Sequence, residues 1–368
     1  MTLLLAVTCV AALAYANGAN DNFKGVATLL GSGVSDYRRA LNWATAATLA
    51  GSVAAIWLTA ALVAAFSGKL FVSQATLALP AFPLAVCGAA AATVLLATRF
   101  GLPVSTTHAV AGGLLGAAVA APESVVDWSK AARQIYLPLG VGPLVAIAAA
   151  AVLYPLFSFA RQRLGITRES CVCIGEEWVP QGAAAGAGLA AIRVTVAVGS
   201  SAACQERYSG RVIGVPAQRL IDGLHYFSAG AVSFARGLND TPKLVALALM
   251  AAPFAQGGAE FLGAGLLMAV GGLLGARRVA ETMSKKITAL NPGQGLTANL
   301  ITSVLVLAAS PLGLPLSTTH VSCGALFGIG AVTGQARWNA IAAILAAWLV
   351  TLPLAALLGA GLLHFHLD

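Results

Sequence analysis

Four short stretches hold most of the residues capable of chemistry. GANDNFK (Gly18–Lys24) and GLNDTPK (Gly237–Lys243) share the pattern G-x-N-D-x-x-K. GLPVSTTH (Gly101–His108) and GLPLSTTH (Gly313–His320) agree at seven of eight positions. In the first pair, Asp21 and Asp240 interrupt runs that are otherwise apolar. An ionised carboxylate inside a bilayer is costly and marks an ion path or a proton relay. Asn20 and Asn239 add amide oxygens, and unwound backbone around Gly18 and Gly237 would free carbonyls. Such oxygen groups suit a hard cation, so Asn20, Asp21, Asn239 and Asp240 are the candidate ligands if sodium is bound. Lys24 and Lys243 follow each Asp by three residues, close to one helical turn. Each can pair with its Asp, reach an anion, or snorkel to an interface. An ammonium here can stand where an alkali cation would otherwise sit.

The second pair suggests an anion site. Ser is a strong N-cap, and the first four backbone N–H groups of a helix lack intrahelical partners. With their hydroxyls, Ser105, Thr106 and Thr107 form a nest at the positive end of a short apolar helix. Ser317, Thr318 and Thr319 repeat it. One copy alone reads as an ordinary helix cap; two matched copies favour a clasp around a tetrahedral oxyanion. His108 and His320 close the motifs and fit a structural role, donating to nearby backbone, better than a proton relay. Asp222 and His225, one turn apart, are a weaker candidate for a cytoplasmic entrance.

These motifs need a membrane to position them. The 368 residues are 58% hydrophobic and only 9% charged, against about 25% charged in soluble domains. Mean hydropathy is +0.84. The net charge of +8 reflects cytoplasmic loops rather than nucleic-acid binding. The first apolar run lacks a basic n-region and leads straight into the polar motif, so it reads as a membrane helix rather than a signal peptide. Apolar runs fall at 2–30 (interrupted at 17–21), 41–66, 81–98, a short run to 121, 134–160, 221–252 (broken at 236–243), 258–276, 296–309, a short run to 332, and 338–363. Residues 161–219 are polar and basic; CVCIG, IRVTVAVG and RVIGV suggest a small β-rich insert, with helix as the alternative for the Ala/Gly run 182–191. Cys171, Cys173 and Cys204 lie there. Their C-x-C spacing is a poor zinc signature, and a cytoplasmic insert needs no disulfide.

Both motifs recur in the same order, Asn20 and Asn239 being 219 residues apart and Ser105 and Ser317 212 apart. The chain therefore divides into 1–160, an N-terminal membrane repeat, 161–218, the insert, and 219–368, a C-terminal membrane repeat. Arg38 and Arg39 follow the first motif, whereas APFAQGG (252–258) after the second carries no charge. The next loops reverse this: Lys69 stands alone, opposite Arg277, Arg278, Lys285 and Lys286. By the positive-inside rule equivalent loops lie on opposite sides, which is an inverted-topology repeat with broken helices. The expected fold is an all-α polytopic membrane protein with re-entrant half-helices, its N-terminus outside, its insert cytoplasmic, in the inner membrane if bacterial.

The two doubled motifs resemble the signatures of the inorganic phosphate transporter (PiT) family, a G-A-N-D motif in each of two inverted halves and P-x-S-T-T-H opening a half-helix in each. The resemblance covers nearly the whole chain except the insert. It implies a secondary transporter, not an enzyme, that moves phosphate with a coupling cation and carries no cofactor. Ser105, Thr106, Thr107, Ser317, Thr318 and Thr319 would hold phosphate; Asn20, Asp21, Asn239 and Asp240 would handle cation and anion together. Two departures bear on the cation. The family often reads N-D-x-x-N, where this chain has Lys24 and Lys243. An acidic residue common before the second S-T-T-H is replaced by Asn299. Both remove ligands a sodium site would use, and favour proton coupling. The expected partners are inorganic phosphate and the bilayer, with a homodimer allowed. Sulfate or another oxyanion is the alternative cargo. An anion channel fits less well, because two broken helices clasping a site suit alternating access. A hydrolase using Asp21 and Asp240 as a dyad needs one raised carboxyl pKa, which two neighbouring lysines oppose.

Overall fold

The computed structural model describes all residues except 1, 123–124, 168, 181–189, 209–212, 252–257 and 368. The chain divides into two compact units, Met1–Leu153 with Tyr226–Asp368, and Tyr154–His225.

In chain order the first stretch runs α1 (Thr2–Asp21), a 3-10 turn (Lys24–Val26), α2 (Ala27–Gly31), α3 (Tyr37–Leu58), α4 (Ala60–Phe66), α5 (Gln74–Leu77) and α6 (Ala81–Arg99). Then come α7 (Thr106–Ala120), α8 (Trp128–Ala131) and α9 (Leu137–Arg163). The smaller unit holds β1 (Ser170–Pro180), β2 (Ala190–Ser200), α10 (Ser201–Arg207) and β3 (Ile213–Pro216). Next are α11 (Ala217–Ala251), α12 (Ala259–Gly275), α13 (Arg277–Glu281), α14 (Pro292–Ala309), α15 (Thr318–Val332) and α16 (Trp338–Leu367).

Among the described residues, five helices are long and apolar enough to cross a membrane, or six if the bent pair 259–275 and 277–286 counts as one span. α9 and α16 turn large apolar side chains outward; Leu144 is 65% exposed and Leu349 77%. In water such a surface would be strongly unfavourable, whereas hydrocarbon accepts it. α7 and α15 have 15 residues each. At about 1.5 Å per residue they fall short of the ~30 Å hydrocarbon core.

The helix breaks differ from the sequence expectation. α1 stays helical through Asn17–Asp21, and the break follows it at Asn22 and Phe23. The second motif is not broken at all. α11 runs through Arg236–Lys243 with Pro242 inside it. Proline removes one backbone hydrogen bond, and here the helix carries on past it. Gly18 and Gly237 therefore do not unwind the chain. They permit close approach instead. A Cβ on Gly18 would fall 1.9 Å from the Met268 carbonyl oxygen on α12, and one on Gly237 2.1 Å from the Thr48 carbonyl oxygen on α3. Small residues that let backbones meet are the means by which helices pack in lipid.

The smaller unit has a three-stranded antiparallel sheet of order β2-β1-β3. CVCIG lies on β1 and IRVTVAVG on β2. Most of the Ala/Gly run lies outside the described residues. The expectation of unpaired cysteines fails: Cys173 and Cys204 form a disulfide. The period-two pleat puts Cys171 and Cys173 on one face of β1, where both join buried Cys204 and Tyr208. The Cα atoms of Cys173 and Cys204 lie 6.1 Å apart, within bridging range. Cys171 remains free, although the three sulfurs lie within 4.8 Å of one another. Asp222 accepts a hydrogen bond from Gln218 Nε2 at 2.7 Å.

Candidate functional site

The residues of the four motifs and Asn299 lie in the larger unit, whereas Asp222 and His225 belong to the smaller one. α1 ends on Asp21, so Asn17, Asn20, Asp21 and Lys24 stack along about one turn and the bend after it. α7 and α15 begin on their S-T-T-H motifs. Ser105 and Ser317 are the N-caps; their hydroxyl oxygens accept from the His108 and His320 backbone N–H groups, each at 3.1 Å. Capping satisfies the N–H of the fourth residue and leaves those of Thr106, Thr107, Thr318 and Thr319 at the helix starts without intrahelical partners.

Each lysine pairs with the aspartate three residues before it. Neither snorkels: Lys24 is 4% exposed and Lys243 1%. The Lys24 ammonium donates to Asp21 Oδ1. It also donates to Asn20 Oδ1, the Val104 carbonyl and Thr319 Oγ1, all at 2.7 Å. The Lys243 ammonium donates to Thr107 Oγ1 at 2.6 Å, Asp240 Oδ1 at 2.9 Å and the Leu316 carbonyl at 3.4 Å. The arrangement is reciprocal. Each ammonium takes an aspartate from its own G-x-N-D copy, a carbonyl preceding the like-numbered S-T-T-H copy, and a threonine hydroxyl from the other S-T-T-H copy. The Phe66 ring, 5.7 Å from Lys243 Nζ, adds a cation–π contact.

The amides complete the cage. Asn20 donates to Thr98 Oγ1 at 2.8 Å and to the Leu102 carbonyl at 3.1 Å, while its oxygen accepts from the Val104 N–H. Asn239 donates to Asp240 Oδ1 and the Leu316 carbonyl. Thr106 donates to Asp21 Oδ2 at 3.1 Å. Thr319, while accepting from Lys24, donates to the Val104 carbonyl at 3.0 Å. Thr318 is buried at the place that matches Thr106.

Two residues of the cluster were not singled out as site residues by sequence reasoning. Asn17 Nδ2 donates to both carboxylates, Asp21 Oδ2 at 3.1 Å and Asp240 Oδ2 at 3.3 Å. Its oxygen accepts from Arg236 Nη2 at 3.3 Å. Asn17 and Arg236 are 219 residues apart, the same offset as Asn20 and Asn239. Carrying the repeat three residues further toward the N-terminus finds them both.

His108 and His320 meet each other, with ring centroids 4.2 Å apart. Trp348 lies on the far side of His320 at 3.8 Å, its indole N–H donating to the Pro103 carbonyl at 3.0 Å. His108 Nδ1 and His320 Nε2 make no hydrogen bond among the described residues. Ring packing, not donation to backbone, is what these nitrogens' surroundings provide. Asn299 stands apart from the lysine cages; it accepts from Thr28 Oγ1 at 3.1 Å and donates to Ser228 Oγ at 3.3 Å.

The cluster thus buries two carboxylates and three cations, Lys24, Lys243 and Arg236. Each buried ion costs several kcal/mol of desolvation, and buried pairs are weak contributors to stability (roughly neutral against apolar replacements). Five charges held together inside a membrane-sized bundle are therefore not accounted for by folding stability.

The sequence model of the Phosphate transporter family matches residues 17–359, a range containing all four motifs. A protein of Thermococcus kodakarensis that carries the name phosphate permease is 32% identical over 308 residues, covering 74% of this chain and 75% of its own. One of Mycobacterium tuberculosis, named as a low-affinity inorganic phosphate transporter, is 27% identical over 380 residues, covering 99% of this chain and 78% of its own. Among solved structures, "The sodium-dependent phosphate transporter" superposes with a TM-score of 0.76 at 21% identity, covering 99% of this chain and 98% of that one. With the match extending over both copies of both motifs, the chain belongs to the Phosphate transporter family.

Proposed function

We propose that this chain is a secondary transporter that imports inorganic phosphate with a proton, by alternating access around the cluster of Asp21, Lys24, Asp240 and Lys243. The observation that carries the reading is the pair of reciprocal lysine cages. Each ammonium is surrounded by the oxygens that would suit a hard cation, so a tethered cation stands in each place an alkali ion would use. The four helix-start N–H groups and the Thr107 and Thr318 hydroxyls supply donors for an oxyanion, the Thr106 and Thr319 hydroxyls being given to Asp21 and the Val104 carbonyl until an anion draws them away, with Ser105 and Ser317 holding the helix starts in shape.

Near neutral pH phosphate can donate a hydrogen bond, which Asp21 or Asp240 can accept; sulfate cannot. The two carboxylates favour phosphate on that ground. The doubled motifs and the reversal of loop charge support two inverted repeats with α7 and α15 as re-entrant half-helices, the N-terminus outside and the insert in the cytoplasm. Sodium coupling is the second reading. It is favoured by the hydrogen-bonded group of Thr28, Asn299 and Ser228, whose oxygens would suit a hard cation.

Uptake of radiolabelled phosphate into proteoliposomes, with proton and sodium gradients imposed separately, tests the proposal. An inward proton gradient alone should drive accumulation, and unlabelled sulfate should compete weakly. Accumulation that needs a sodium gradient and ignores a pH gradient refutes proton coupling. Accumulation of sulfate in place of phosphate refutes the cargo.

A further inference from the structure

We propose that Arg236 is a direct ligand of the transported oxyanion, an inference that rests on the transport reading above. Arg236 is among the largest fully buried side chains, 1% exposed. Guanidinium is always charged and carries five N–H donors and no acceptor. One nitrogen, Nη2, reaches Asn17 Oδ1. Nε and Nη1 find no acceptor among the described residues. A buried polar group without a partner is costly, and more so when charged.

The cluster does not supply the missing partner. The Asp21 oxygens already accept from Lys24, Asn17 and Thr106. Those of Asp240 accept from Lys243, Asn239 and Asn17. Among the described residues no carboxylate lies within salt-bridge distance of Arg236. Two carboxylates against three cations leave one positive charge over. A buried, net-positive cluster whose extra cation keeps three N–H groups unused is complementary to a singly charged oxyanion. Binding one dihydrogen phosphate, or equivalently one hydrogen phosphate with a proton, brings the fixed charges to zero.

The repeat sharpens this. The position matching Arg236 in the first copy is Asn17, and the two touch. Every other charge in the cluster occurs in both copies, Asp21 with Asp240 and Lys24 with Lys243. The surplus charge comes from the one position where the copies differ in charge. Asn17 orients it, giving its oxygen to the guanidinium and its N–H groups to both carboxylates.

The alternative is that Arg236 only balances Asp21 and Asp240, and the two roles predict opposite signs. Purified wild type and Arg236→Gln would be compared for phosphate KM in proteoliposomes and for melting temperature with and without inorganic phosphate. A ligand role predicts a phosphate KM raised about 10- to 100-fold, the loss of a charged hydrogen-bond pair, with a much smaller change in kcat. It also predicts that the unliganded variant melts higher than wild type and that its phosphate-dependent shift in Tm is lost. A KM within twofold of wild type, or a lower unliganded Tm with the phosphate shift intact, overturns the inference. Arg236→Lys guards against a variant that does not fold. It keeps the charge and loses the planar fork, so its KM should rise about tenfold; an unchanged KM again overturns the inference. Wild type that answers to sulfate and not to phosphate overturns the cargo reading alone, and Arg236 is then judged by the same numbers measured with sulfate. Wild type that answers to neither overturns both.

Discussion

Replacing Lys24 with asparagine should convert proton-driven uptake into sodium-dependent uptake. The wild-type ammonium is held by Asn20 Oδ1, Asp21 Oδ1, the Val104 carbonyl and Thr319 Oγ1. Lys24→Asn removes the cation, leaves these four oxygens around the space and adds an amide oxygen at its edge. Both members of the Lys24–Asp21 pair are 2% exposed at the side chain, so Asp21 cannot draw on solvent for compensation. Removing one partner of such a pair costs about 3–5 kcal/mol. At ~1.4 kcal/mol per factor of ten, the lower figure already exceeds a hundredfold. A sodium ion in the cage at a hundred times its dissociation constant returns about 2.7 kcal/mol, most of that loss.

The assay is phosphate uptake by Lys24→Asn in matched sodium and choline media, beside wild type and Lys24→Met. Wild type should be indifferent to the choice of salt. Lys24→Asn should be near background in choline and recover in sodium. Lys24→Met fills the cage with an apolar chain and should fail in both. The reasoning is refuted by wild type that already requires sodium, or by Lys24→Asn that transports equally well in choline.

Three further outcomes are expected. Asp21→Asn and Asp240→Asn each leave a buried lysine without its counter-charge and remove an acceptor for the phosphate O–H; each should abolish uptake in proteoliposomes, and full uptake by either would remove the carboxylates from the mechanism. Gly18→Ala must push α1 from α12 by about an ångström to clear the Met268 carbonyl, an overpacking cost of about 1–3 kcal/mol, and Gly237→Ala does the same against Thr48; both should lower the melting temperature of the purified protein. Ser105→Ala and Ser317→Ala each lose an N-cap, about 1 kcal/mol, so each should reduce thermal stability modestly and raise phosphate KM, whereas an unchanged KM would separate the caps from the anion site.

The membrane class, the doubled motifs and the helix starts at Ser105 and Ser317 were legible because each is a local property of type and spacing. So was the approach of Lys24 to Asp21, which a single turn dictates. What was not legible depends on contacts far apart in sequence. No spacing rule says that Lys24 reaches Thr319, 295 residues away, or that the His108 ring meets that of His320. The polar interruption of an apolar run suggested an unwound helix at Gly237, yet α11 continues, because the glycine serves a close approach to Thr48 rather than a break. Asn299 stood out by its place before the second S-T-T-H, but that place does not tell that α14 brings it to Thr28 and Ser228. The disulfide follows from the pleat of β1 and the placing of α10, neither of which a C-x-C spacing reveals.

The Asn17–Arg236 contact makes a claim about direction. In the proposed inverted arrangement, each open state of one repeat mirrors the opposite open state of the other. Ligands present in both copies, such as Asp21 with Asp240 and Thr107 with Thr319, would then hold an oxyanion about equally from either side. Any difference in affinity between the two faces has to come from positions where the copies differ. Arg236 facing Asn17 is such a position, it carries the surplus charge, and its contact spans the two copies. Exchanging them, Asn17→Arg with Arg236→Asn, preserves the charge and composition of the cluster while reversing its asymmetry. Influx and efflux KM for phosphate, measured in proteoliposomes of uniform orientation, should differ in wild type and differ in the opposite sense in the double variant. A ratio of the two that is unchanged by the exchange would show that the asymmetry resides elsewhere, and Arg236 would then contribute to affinity without contributing to direction.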